Sequence, residues 1–511
     1  MKRAQRLRNG VVLATAILTL TGCATAVAGA PLRADAPAGG SSSAGSGTSG
    51  SGASDSGSGS TLPTLPPDSG VPDSAVGLKP DAPTPDLTVS GDAHTDADTL
   101  AEDSLADVEA FYQATFEKAF STTFVPPGHY LSYDSNDSSA AVCNHSLSGS
   151  VNASYVTPPC DTVIWDRGVL LPNMMKNIGV LAVPTTLAHE MGHRVQTILG
   201  FDDAKNSVLV AEQQADCYAG AYWRWVNDGN SKYFNFNQTA GMTQVLTTMM
   251  TIRDPLGTNP AEADGTGQGA HGDAFDRIYA FTLGFANGEA TCNGIDQASV
   301  DARVSESPFS HIPNPKTADN LPITDDTLGD VTATVNSYFA GATPGYQPPT
   351  LVSSTKGAVP ACDGKAAVSP VAYCPSTNTV SYDLTELQRI GTPTAGFSSF
   401  NGDFSAIILL VSRYALAAQA AGGASTTGVP AGLRAVCFAG SWASWMRQPQ
   451  GAKKLSLSPA DLDKATYELI NSPAAAGDAS GTSNATIFDR VQAFNIGVTH
   501  SIDTCTHQYA G

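Results

Sequence analysis

The sequence predicts an α+β, mainly helical protein in which one domain occurs twice in tandem behind a flexible linker. Three observations carry this expectation. Long segments place apolar residues at helical spacing. Short blocks of sequence recur 213 to 223 residues downstream. Residues 31–90 are so rich in Gly, Ser, Ala, Pro and Asp that they bury too little apolar surface to offset their ordering entropy. The expected division is a signal peptide over 1–22, a flexible low-complexity linker over 23–95, a first domain over 96–320 and a second over 321–511.

The chain opens with a basic stretch, Met1 to Arg8, followed by an apolar run from Val11 to Leu20. That run is too short for an ordinary membrane span and fits an export signal. It ends in Leu20-Thr21-Gly22-Cys23, which resembles a bacterial lipobox. The resemblance implies that Cys23 is lipidated and that the protein is anchored on the extracytoplasmic face of a membrane. The alternative is cleavage after Ala30 and free secretion. Prolines 63, 66 and 67 stiffen the end of the tether.

Each domain is expected to open with a helix, at about 103–120 and about 327–340, followed by a short strand or hairpin near a cysteine pair. The next segment of the first domain, Val183 to Gly200, reads as a helix. Val183, Leu187, Met191, Val195 and Ile198 form one apolar stripe, Pro184 fits a first turn and Gly200 a C-terminal cap. On this helix His189-Glu190-Met191-Gly192-His193 is an HExxH segment. Histidines four apart share a face and can share one metal ion, with the intervening glutamate placed as a base for water activation. Gly192 is expected to leave space beside the metal.

A following helix, capped by Asn206 or Ser207 and stopped at Asp228-Gly229-Asn230, carries Glu212 and Asp216 one turn apart. Two histidines and a glutamate make a catalytic Zn2+ site, so His189, His193 and Glu212 are the expected ligands. Asp216 is expected to accept the remaining N–H of a liganding imidazole.

The pattern HExxH-V-Q, then E-x-Q-A-D-C-Y-A-G, resembles the neutral zinc metallopeptidase family of bacteria. It is carried by His189 to His193, Val195, Gln196, Glu212 and Gln214 to Gly220, and in outline by His271-Gly272 and the aromatic segment Phe275 to Phe285. The order of HExxH helix and ExxxD helix is similar to that of thermolysin-like gluzincins. The resemblance covers roughly residues 100–295 and implies a zincin-like peptidase fold acting on a peptide or protein substrate. Two departures stand out: Asp273-Ala274-Phe275-Asp276-Arg277 replaces the small polar run expected after His271-Gly272, and a whole C-terminal segment is added.

That segment repeats the first domain. Phe275-Asp276-Arg277 recurs as Phe488-Asp489-Arg490, Cys292 as Cys505, and Cys217-Tyr218-Ala219-Gly220 as Cys437-Phe438-Ala439-Gly440. Cys143, Cys160 and Trp165-Asp166 are echoed by Cys362, Cys374 and Tyr382-Asp383. On this alignment His189, Glu190 and His193 become Ser412, Arg413 and Leu416. Glu212, Asp216 and His271 become Gly432, Val436 and Asn484. Packing residues persist while metal-site residues are lost, as expected of a copy without catalysis or metal. The same comparison nominates His271, with the family's similar His-Gly, as a donor to a tetrahedral oxyanion.

Of nine cysteines, eight remain after Cys23. Export favours disulfides over thiolates. The repeat selects Cys143–Cys160 and Cys217–Cys292 in the first copy, and Cys362–Cys374 and Cys437–Cys505 in the second. A net charge of −20 disfavours nucleic acid as a partner.

The expected activity is zinc-dependent hydrolysis of peptide bonds, with Glu190 shuttling a proton from water to the leaving amine and His271 assisting. The same site would serve a zinc amidase acting on cell-wall peptides. The alternative from another class is a surface-anchored binding or scaffolding lipoprotein with structural or vestigial zinc.

Overall fold

The computed structural model describes residues 65–253, 272–301, 320–354, 359–364, 370–397, 399–447, 455, 457–458 and 460–510. Cys23 and His271 lie outside the described residues. The fold is mainly helical α+β with mixed sheets, as expected.

In chain order the first part contains β1 (Gly77–Leu78), β2 (Val89–Ser90), α1 (Asp96–Phe120), β3 (His129–Tyr133), β4 (Ala141–Val142), β5 (His145–Ser146), β6 (Ala153–Val156) and β7 (Thr162–Asp166). There follow α2 (Leu170–Asn177), α3 (Ala182–Leu199), α4 (Val208–Asn227), β8 (Phe234–Asn235), α5 (Ala240–Thr251), α6 (Ala274–Asn287) and α7 (Gln297–Asp301). The second part runs α8 (Asp325–Ala342), β9 (Thr350–Ser354), β10 (Val371–Cys374), β11 (Thr379–Asp383), α9 (Leu384–Gly391) and α10 (Asp403–Ala421). It closes with α11 (Val429–Arg447), α12 (Asp461–Asn471), α13 (Ile487–Thr499) and α14 (Ile502–Gln508).

Helix α1 starts at Thr95, earlier than the periodicity suggested, because Thr95 and Asp98 form a reciprocal capping box. Asp98 also accepts from Ser132 on β3 and Trp165 on β7, tying the helix to the sheet. That sheet has the order β2-β3-β7-β6, with β3 parallel to β7 and β6 antiparallel at the edge. The second sheet has the order β10-β11-β9, with β9 parallel to β11 and β10 antiparallel at the edge. Each sheet ends in an aspartate that accepts backbone N–H groups at the start of the next helix: Asp166 from Leu170, Asp383 from Glu386.

The expected linker is too long at its C-terminal end. Residues 65–95 are part of the fold: β1 pairs with β8 and β2 with β3. Several of their polar side chains, though exposed, bond to the rest of the protein. Asp68 accepts the Gln238 amide N–H and Asp73 accepts from Asn237, Thr239 and Ala240 at the start of α5. Composition alone could not reveal this, because the same residue types solvate a tether.

Helices α4 and α6 cross backbone to backbone. A Cβ added at Gly284 would lie 1.8 Å from the Cys217 carbonyl oxygen, and one at Gly220 2.0 Å from that of Phe281. Helices α11 and α13 meet in the same way, at Gly497 against Cys437 and Gly440 against Phe494. Each crossing is closed by a disulfide, Cys217–Cys292 and Cys437–Cys505, and the expected Cys143–Cys160 and Cys362–Cys374 bridges are also present. Cys292 sits in the 3-10 turn after α6 rather than on the helix. Gly284→Ala therefore forces two helices apart. The expected loss is about 2 kcal/mol even after the gain in helix propensity. Calorimetry should show a Tm lower by about 2–4 °C. An unchanged Tm would mean that the crossing yields freely.

A hydrophobic core runs through both parts of the chain. Phe275 meets Phe494 at 6.1 Å and Phe285 meets Phe488 at 5.0 Å between ring centres, joining α6 to α13. Helix α10 is long and apolar enough to cross a membrane, yet it is almost wholly buried within the protein.

Candidate metal centre

The stripe on α3 behaves as its spacing demands. Val183, Leu187, Met191 and Val195 are fully buried, and Gly200 ends the helix in the left-handed conformation at φ 74°. His189, Glu190 and His193, on the neighbouring face, are buried as well. Helix α4 brings Glu212 and Asp216 up to that face. Gly192 plays a different part from the one expected. A Cβ there would lie 2.8 Å from the Ala215 Cα, so its absence lets α4 approach between its two carboxylates rather than opening space beside an ion.

The Glu212 carboxylate lies between the two imidazoles. Its Oε2 is 3.2 Å from His189 Nε2 and its Oε1 is 3.5 Å from His193 Nε2. The three ligand atoms all fall within 4.8 Å of one another. Tetrahedral zinc with bonds of about 2.0–2.1 Å separates its ligands by roughly 3.3 Å, and each imidazole lies about that far from one of the two Glu212 oxygens.

The hydrogen bonds behind the imidazoles fix their tautomers. His189 Nδ1 is 2.8 Å from Asp216 Oδ1, an acceptor, so Nδ1 carries the proton and Nε2 faces Glu212 with a lone pair. His193 Nδ1 is 2.9 Å from Gln196 Oε1. The Gln196 amide is oriented by donation to the Ala211 carbonyl and to Gln214 Oε1, and Gln214 in turn donates to the Ile295 carbonyl. Lone pairs from two rings and a carboxylate thus converge in a dry space. His189 Nε2 and Glu190 Oε1 have no hydrogen-bond partner among the described residues. Such an arrangement calls for a cation, and the donor set of two imidazoles and one carboxylate suits zinc. Burial lowers the His189 pKa, but the Asp216 carboxylate outweighs it and pushes it up to about 9.

Glu190 is held from the sheet. The Tyr155 N–H on edge strand β6 donates to its Oε2 at 3.0 Å. Burial raises its pKa to about 8, against the opposing pull of His189. Arg194 locks the strand to α3 by donating to the Tyr155 hydroxyl and to Asp161.

Three contributors were not foreseen from the sequence. Arg277 on α6 is fully buried and donates to Asp216 Oδ1 at 2.7 Å, with His189 Nδ1 3.3 Å away. Gln196 and Gln214 carry His193. The Tyr155 backbone carries Glu190. Arg277 left a signal in the repeated Phe-Asp-Arg block, and Gln196 and Gln214 stand in the motif pattern, but none of the three was read as a support of the site.

In the second part of the chain the aligned positions hold no ligand set. The Arg413 guanidinium donates to the carbonyls of Ala474, Ala475 and Asp478. A Cβ on Gly432 would lie 1.9 Å from the Ala476 carbonyl oxygen. The supporting bond persists: Gln419 donates to the Ala431 carbonyl as Gln196 does to that of Ala211. Among the described residues one other cluster could hold a metal, Cys362, Asp363 and Cys374, but its cysteines form a disulfide.

Comparison of the chain with family models, with curated proteins and with solved structures finds no match.

Proposed function

We propose that the first part of the chain is a zinc-dependent hydrolase of peptide bonds, and that the chain is a tandem duplication whose second copy has lost the metal site. The observation that carries the first claim is the convergence of His189, His193 and Glu212 beside a glutamate with one committed and one open oxygen. The second rests on the repeated order of helices and strands, the two glycine crossings and the paired disulfides. Export and lipid anchoring through Cys23 complete the proposal.

The ion would be held by the Nε2 atoms of both histidines and by the Glu212 carboxylate. When bound, it supplies Lewis acidity toward a carbonyl oxygen and toward water. The chain's own groups do the rest. Glu190 takes the proton of the attacking water at Oε1 while Tyr155 fixes Oε2. The same group can then release that proton to the leaving amine. Asp216 keeps the His189 ring oriented, and Gln196 does so for His193.

The full exported chain is expected to take up one zinc, to cleave casein or a peptide library, and to lose turnover with chelator and regain it with zinc. Elemental analysis and a quenched-peptide assay read both outcomes. Zinc above one per chain would refute the reading of the second copy. A folded, zinc-loaded protein without turnover would favour the scaffolding alternative.

A further inference from the structure

We propose that Asp463, on helix α12 of the second part of the chain, is a positioning residue for the metal centre of the first. The inference rests on the metal-site reading above and assigns a task to the second part.

Arg277 reaches the site from two anchors. It stands on the first turn of α6, and it donates to the carbonyl of Ile252 at the end of α5 at 2.7 Å. A single carboxylate holds the chain beside both anchors. Asp463 Oδ1 accepts the Phe275 N–H at 3.1 Å, two residues before Arg277, and the Ala274 N–H also donates to this carboxylate. Asp463 Oδ2 is 3.3 Å from Nε of Arg253, the residue after Ile252. The Arg253 guanidinium also lies over the Phe400 ring at 5.0 Å, another residue of the second part.

Asp463 is almost fully buried. A buried carboxylate survives only where charge and donors compensate it, so its place at a helix N-terminus beside an arginine is a defined contact. Through it the second part fixes the separation of the α5 and α6 ends. That separation sets where the Arg277 guanidinium meets Asp216, and Asp216 orients His189.

The test uses Co2+ in place of zinc in the full exported chain, read by its visible absorption band and by competition with a chelating dye. Asp463→Ala is expected to weaken Co2+ binding about three- to ten-fold and to alter the band, the low end of what supporting residues contribute. Asp463→Asn keeps an acceptor for the amides but loses the charge facing Arg253. It is expected to lie between the alanine variant and the wild type, and it decides the matter if the alanine variant does not fold. Phe494→Leu, which loosens the same interface by packing alone, is expected to lower Tm with the band and affinity unchanged. Folded Asp463 variants with wild-type band and affinity would overturn the proposal while leaving the metal centre intact. Wild-type protein that takes up no Co2+ would overturn the metal reading and this proposal with it.

Discussion

Glu190→Gln is expected to reduce kcat by about 10²- to 10⁴-fold while leaving one zinc bound and the fold intact, the usual range for removing a general base. The substitution is nearly isosteric in a fully buried position. The glutamine oxygen can still accept the Tyr155 N–H, which now fixes Oε2 of the glutamate. What then stands in place of Oε1 is an NH2 group, which cannot accept a proton. None of the three metal ligands is altered, so zinc content by elemental analysis should match the wild type. A variant retaining more than about a tenth of wild-type turnover, against the expected 10²-fold loss, would remove Glu190 from the chemistry.

Arg277→Met is expected to cost about 3–5 kcal/mol of stability, because it leaves Asp216 as a buried carboxylate stripped of its arginine. It should also weaken zinc binding about 10- to 100-fold, since Asp216 would no longer be held against His189. Arg490→Met supplies the matched control. Arg490 donates to the carbonyls of Leu469, Ala485 and Ile470, much as Arg277 donates to that of Ile252, but no carboxylate of a metal site stands beside it. Its loss should lower Tm and leave zinc affinity unchanged. Thermal unfolding and dye competition on the two variants separate the roles. Equal zinc affinity in both would show that Arg277 is scaffold alone.

Arg277 also shows where sequence reasoning ran short. Comparing the two halves of the chain sorts residues kept from residues lost, and an arginine present in both falls with the scaffold. In space it does the scaffold's work and also donates to Asp216, whose aligned position in the second part of the chain is a valine. The ligand set was more accessible. HExxH and the one-turn spacing of Glu212 and Asp216 constrain which side chains can meet, and the apolar stripe of α3 fixes which face turns to the core. The contacts of Gln196, Gln214 and the Tyr155 N–H left no comparable trace, because they depend on how α4 and β6 approach α3. Gly192 misled for the same reason: a glycine in a helix announces a close approach without saying to what. The Asp- and Pro-rich stretch of 65–95 was misread because polar side chains that cap helices look, in a string of letters, like polar side chains that face water.

The turn at Ala474–Ala476 limits what substitution could do in the second part of the chain. Introducing the three ligand side chains by point substitution would not build a metal centre there. A glutamate at 432 would have to drive its Cβ into a main-chain carbonyl, and Arg413 is already wedded to that same stretch of backbone. Building one requires a different loop, not only different letters. Mutational scans should find metal-ligating residues at this position no better tolerated than any other bulky residue.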